Sequence, residues 1–266
     1  MNRIAQVFKE KETAFITYLI CGDPDIRSTE KIMHQMVKSG VDIIELGVPF
    51  TDPIADGPTI QRGVERCLQK NISLTDVFTL IKNFRKKDLS TPIVIMGYMN
   101  PINKMGIHKF AKKAKLIGVD GVLIVDLPPE ESMLINQLLR ENNLDQIFLA
   151  SPTTKPSRLK KIIDMSSGYL YYVSLKGITG SSISDFSELK KRVIYIKKTS
   201  NNNLPITVGF GIKNSVIARN ISKFADGIII GSSIVELIEK NLKNKKVMFN
   251  KINLFIKDIS RSLASK

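Results

Sequence analysis

The chain has 266 residues, 43% of them hydrophobic, with two cysteines and two histidines; that content excludes a disordered polypeptide, a disulfide framework and a three-histidine metal centre. The formal net charge is +15, but its lysines are spread over separate stretches (82–87, 109–115, 240–246) without a zinc-finger or RNP-like aromatic motif, so no nucleic-acid partner is expected. No leader is evident and no apolar run approaches the ~20 residues that cross a bilayer, so a cytoplasmic protein without membrane contact is expected.

Short β-branched apolar runs alternate with longer amphipathic ones, the pattern of βα units around a parallel sheet. A helix at 4–10 precedes the first strand and is expected to cap the bottom of the sheet. Strands are expected at 15–20, 43–46, 93–96, 121–125, 146–150, 169–173, 206–208 and 227–230. Helices are expected at 29–39, 74–87, 106–116, 130–142, 157–166, 186–198, 215–224 and 247–263. Ile32, Met33, Met36 and Val37 repeat at helical spacing, Gly40 ends that helix, and Ser73 stands where an N-cap belongs. Eight strands in one alternation predict the α/β class: a single (β/α)8 TIM barrel with an extra N-terminal helix, filling residues 1–266 as one domain. An open doubly wound sheet would carry GxGxxG after the first strand, where this chain reads Cys21-Gly-Asp-Pro24.

Glu45 interrupts the apolar second strand. An acid at the C-terminal end of a barrel strand needs a partner or a raised pKa, and there it points to catalysis more often than to structure. The loop that follows, with Pro49, Pro53 and Pro58, is too rich in proline to continue as helix, and it is expected to hold Asp52 and Asp56 over the barrel mouth. Two acids aimed into one mouth suit paired acid/base work. Later in the chain, glycine turns follow strands six, seven and eight: Gly177-Ile-Thr-Gly180, Gly209-Phe-Gly211 and Gly231-Ser232-Ser233. Glycines let backbone N–H groups approach an anion, and barrels often seat phosphate after strands seven and eight.

The run Glu45-Leu-Gly-Val-Pro-Phe-Thr-Asp-Pro-Ile-Ala-Asp-Gly-Pro-Thr-Ile-Gln61 closely resembles the signature of tryptophan synthase alpha subunits. Phe15–Pro24, Met96–Ile102 and Val125–Pro128 resemble further strand ends of that family, so the resemblance covers nearly the whole chain. It implies a lyase that splits indole-3-glycerol phosphate into indole and glyceraldehyde 3-phosphate by a retro-aldol-type route, with no cofactor and no metal. It implies Glu45 as general acid/base, Asp56 as second acid and Tyr171 as an active-site tyrosine. Gly180, Gly209, Gly211, Gly231, Ser232 and Ser233 would hold phosphate, while Tyr18, Met96 and Tyr98 would line the indole pocket. Lys176 and Thr179 would belong to a closing loop in which Leu175 stands where many relatives carry arginine. A pyridoxal phosphate-dependent beta subunit in an alpha2beta2 heterotetramer is the implied partner, docking beside Pro53, Asp56 and the segment 100–103. The alternatives are another phosphate-binding barrel (an indole-glycerol phosphate synthase or a sugar-phosphate isomerase) and a mainly regulatory subunit.

Overall fold

In a computed structural model that describes residues 2–174, 186–209 and 211–264, every expected strand is present with bounds shifted by at most one residue. The strands are β1 (Ala14–Ile20), β2 (Ile43–Gly47), β3 (Ile93–Gly97), β4 (Gly121–Ile124), β5 (Asp145–Ala150), β6 (Leu170–Val173), β7 (Ile206–Gly209) and β8 (Gly227–Ile230). Each runs parallel to its neighbours in chain order, and β8 pairs with β1 to close the barrel. The helices are α1 (Arg3–Glu10), α2 (Ile26–Lys38), α3 (Pro58–Leu68), α4 (Leu74–Phe84), α5 (Met99–Met105), α6 (Ile107–Leu116), α7 (Met133–Glu141), α8 (Pro156–Met165), α9 (Ser187–Thr199), α10 (Ser215–Ser222), α11 (Ser232–Glu239) and α12 (Lys245–Ala264).

Several helical expectations need correction. α2 starts at Ile26 rather than 29, because the Asp25 carboxylate accepts the Ser28 N–H and caps the helix earlier. The stretch 130–142 is broken: a single 3-10 turn, Pro129–Glu131, precedes α7. The helix expected over 74–87 closes at Phe84; Ser73 caps its start, with Asp76 reciprocating. α3, α5 and α11 were not expected at all, and two of them border the site described below.

Alternation on the strands sorts the core into two layers. Outward residues such as Leu19, Leu46, Ile95 and Phe148 pack on the helices, in one cluster with Met33, Phe78 and Phe110. Inward residues Ala14, Ile16, Ile43, Val94, Leu123 and Ile147 fill the lower barrel, and Ile4 of α1 plugs them from below. Phe8 of α1 lies against Tyr169, ring centroids 5.8 Å apart. The extra helix therefore caps the barrel bottom as expected.

A device at that lower end repeats four times. Asp42, just before β2, takes the Phe15 N–H on its carboxylate at 2.8 Å and returns its own N–H to the Phe15 carbonyl at 2.8 Å. Asp120 before β4 does the same with Ile93, and Asp226 before β8 with Ile206. Ser167 before β6 clamps Gln146 in the same way through its hydroxyl. Each even strand thus satisfies the first or second N–H of the odd strand before it, a donor that would otherwise be left unpaired near the core. Lys11, Lys197 and the pair Arg3 and Arg85 balance Asp42, Asp226 and Asp120 respectively.

Candidate active site

Glu45 sits in the middle of β2, on the inward side with Ile43, while Ile44 and Leu46 turn to the helices. It is fully buried. Its Oε1 accepts a 2.6 Å hydrogen bond from the Tyr169 hydroxyl, and its Oε2 has no protein partner. Burial disfavours the charged form and pushes the carboxyl up to about 7, against the bond from Tyr169, which favours the carboxylate. Tyr169 itself is held far above the usual phenol range, first by burial and then by the nearby Glu45 charge, so it remains a donor. Sequence reasoning missed Tyr169. Its signal was its place two residues before Tyr171, on the same face of the same run.

The loop after β2 delivers Asp56. Tyr98, just past β3, accepts the Ala55 N–H at 3.1 Å and donates to Asp56 Oδ2 at 3.0 Å, while Phe50 lies over its ring at 5.1 Å. Gln61 of α3 holds the Asp56 carbonyl at 2.8 Å. Burial raises the Asp56 carboxyl, opposed by the Tyr98 bond. Proline does not forbid helix here: Pro58 is the first residue of α3, where its missing N–H costs nothing. Asp52 departs from expectation. It is exposed and accepts the Thr51 hydroxyl at 2.6 Å, so Asp56 alone joins the site.

Tyr18 and Tyr171 stand at the same level, inward from β1 and β6, and both feel the charges of Glu45 and Asp56. Glycine makes room for each. A Cβ on Gly47 would collide with the Tyr18 hydroxyl, and one on Gly209 with that of Tyr171. Below this level the inward residues are fully buried, whereas Met96, Val125, Leu149 and Val173 are half-buried. The packing thus loosens at the C-terminal end, where these half-buried apolar side chains stand with Glu45 on β2 and Asp56 on the loop that follows it. Val125, Leu149 and Val173 were not singled out from the sequence, because inward apolar residues at the mouth and at the floor look alike.

Gly209 ends β7, Gly211 follows with φ +80°, and Gly231 lies between β8 and α11. The Ser233 hydroxyl donates to the Ile212 carbonyl at 3.2 Å, joining the two turns. Ser232 and Ser233 are the first residues of α11, whose earliest returning N–H is that of Ile234, to Gly231. Their own N–H groups are thus among the donors that a helix start leaves without an internal acceptor. Lys176, Thr179 and Gly180 lie outside the described residues, as does Leu175.

A family model described as tryptophan synthase alpha chain matches residues 4–264. The chain belongs to that family. It is 50% identical over 243 residues to the tryptophan synthase alpha chain of Nitrosomonas europaea, spanning 90% of this chain and 88% of that one. It is 46% identical over 263 residues to the alpha chain of Neisseria meningitidis serogroup B, spanning 98% and 100%. Among solved structures it matches tryptophan synthase subunit alpha of Legionella pneumophila with a TM-score of 0.93 and 38% identity over the full length of both chains. The tryptophan synthase alpha family cleaves indole-3-glycerol phosphate in tryptophan biosynthesis, so the lyase expectation is borne out and the rival phosphate barrels are not favoured.

Proposed function

We propose that this chain, as one domain, splits indole-3-glycerol phosphate with Glu45 and Asp56 as its two working acids. The observation that carries the reading is the Glu45 carboxyl: fully buried, held by Tyr169 through one oxygen, without a protein partner on the other, and pushed up to about 7 by burial. Indole is a poor carbanion leaving group, so its C3 must be protonated before the bond to the side chain breaks. Protonated Glu45 gives that proton to C3. The Asp56 carboxylate accepts the indole N–H and stabilises the positive charge that develops on the ring. The Glu45 carboxylate then takes the proton of the adjacent side-chain hydroxyl as the C–C bond breaks, giving indole and the aldehyde. Glu45 ends as it began. Tyr18, Met96, Tyr98 and Tyr171 surround the indole ring, and the backbone at Gly209, Gly211, Gly231, Ser232 and Ser233 holds the phosphate; the family resemblance adds Gly180 to the phosphate set and assigns Lys176 and Thr179 to a closing loop.

The product indole passes to a beta subunit in an alpha2beta2 heterotetramer in the cytoplasm. Supporting a docking face on this side are the exposed apolar residues Ile54, Met133 and Leu134, on or just beyond loops at the mouth. Indole release from indole-3-glycerol phosphate, measured with and without beta subunit, tests the proposal. Glu45→Gln and Asp56→Asn are each expected to lower kcat by ~10²–10⁴. Activity surviving Glu45→Gln would discard this mechanism, and no release by the unaltered chain even with partner would discard the reaction.

A further inference from the structure

A polar cluster behind the mouth takes no part in the proposed chemistry, yet it joins three of the elements that carry it. Asp23, just past β1, is fully buried and accepts two bonds from Arg66 of α3, from Nε at 2.9 Å and Nη2 at 2.8 Å. The remaining nitrogen, Nη1, reaches Glu239, the last residue of α11, at 3.2 Å. Arg62, one turn earlier on α3, grips both oxygens of Glu239 at 2.8 and 2.9 Å. Two guanidiniums and two carboxylates leave no charge over, so the cluster is closed on itself and is not a ligand site. Gly63 lies between the arginines. A Cβ there would run into Ile20 of β1 and Val235 of α11, so α3 seats against both at a distance only glycine permits.

Each tethered element ends at the site. α3 begins two residues after Asp56 and holds its carbonyl through Gln61. α11 begins with Ser232 and Ser233 at the phosphate seat, and β1 carries Tyr18. We propose that Arg66 is a positioning residue for the reaction: it locks α3 to β1 and α11 and thereby sets the distance between the Asp56 carboxylate and the phosphate seat. A substrate gripped at both ends reacts only when the two grips are correctly spaced. The planar fork of arginine suits this task, because it meets Asp23 with two parallel bonds and still has a nitrogen for Glu239; a lysine ammonium cannot hold that geometry. The inference rests on the reading of the site given above.

The test compares Arg66→Lys and Glu239→Gln with the unaltered chain in indole release, inhibition by glycerol 3-phosphate, and thermal melting. Arg66→Lys keeps a cation beside buried Asp23, so it is the variant that folds; its kcat is expected to fall about tenfold. Inhibition by glycerol 3-phosphate, which reports the phosphate seat alone, stays within about twofold, since the α11 start keeps its own packing. Glu239→Gln cuts the more exposed link and lowers kcat about threefold. Lowered melting temperatures with unchanged kcat in both variants would show a purely structural cluster and overturn the proposal. If the unaltered chain releases no indole, the functional reading itself fails, and amide exchange decides the tether: faster exchange at both 55–61 and 232–235 in Arg66→Lys upholds it, and unchanged exchange overturns it.

Discussion

Burial and the Tyr169 hydroxyl act on Glu45 in opposite directions, and their balance sets a pH window. The carboxyl loses its proton at about 7 in the folded chain, against an ordinary 4.5. The proposed first step needs protonated Glu45 beside ionised Asp56, so kcat/KM is expected to fall tenfold per pH unit above that point, and to fall again at lower pH as Asp56, whose carboxyl burial raises, takes up its proton. Tyr169→Phe removes a bond that favours the carboxylate and is expected to move the upper limb to higher pH; a limb left in place would separate Tyr169 from the chemistry. Stability follows the same proton. Between pH 4.5 and about 7 the folded state keeps a proton that the unfolded chain has released, so stability drops as pH rises across this window. The loss amounts to roughly 3 kcal/mol at most, and Glu45→Gln removes that slope. Urea unfolding at pH 5 and pH 8 measures it, and parallel changes in both proteins would refute the assignment.

Among the elements, strands were legible because β-branched apolar runs between glycines and charged stretches have few other uses. The helices that were missed share a cause. α3 opens with Pro58 inside a proline-rich run, α5 carries Pro101 in its first turn, and α11 opens on Gly231-Ser-Ser, so each starts on residues that also make turns. The acids Glu45 and Asp56 could be picked from the sequence; their partners could not. Tyr169 is 124 residues from Glu45, immediately before the strand diametrically opposite in the barrel, and only closure brings the two together. Asp23 and Arg66 likewise sit in separate elements with no local pattern linking them. Close packing at strand ends gives a further prediction. Gly209→Ala should push the Tyr171 ring out of place and lower kcat/KM by about tenfold, with about 1–3 kcal/mol of stability lost to overpacking. Tyr171→Phe removes the hydroxyl that the new methyl meets, so the double variant should lose less than the two singles combined. Full additivity would mean that the methyl and the ring do not meet.

At the scale of the whole molecule, chemistry and stability occupy opposite ends of the barrel. The upper end keeps a raised carboxyl, half-buried apolar walls and unpaired helix donors, while the lower end satisfies its strand starts through Asp42, Asp120, Ser167 and Asp226. Of the three aspartates, Asp120 is buried and bonds both Arg3 and Arg85, whereas the more exposed Asp226 pairs, among the described residues, with Lys197. Asp120→Ala should therefore cost about 3–5 kcal/mol, because it leaves the buried Arg85 guanidinium with only the 3.9 Å contact to Asp88 as a counter-charge, and Asp226→Ala only about 1–2 kcal/mol. Equal losses in chemical denaturation would contradict that ranking. The four clamps also divide the chain into successive pairs of strands, each complete within its own length of sequence. A cut after Asn142 leaves two clamps whole in each piece, whereas a cut after Leu116 parts Ile93 from Asp120. The first pair of fragments should reassemble from solution into a helical, indole-releasing particle more tightly than the second. In that sense the molecule is a necklace of four beads closed by its clasp at β8 and β1, and it comes apart most cleanly between beads.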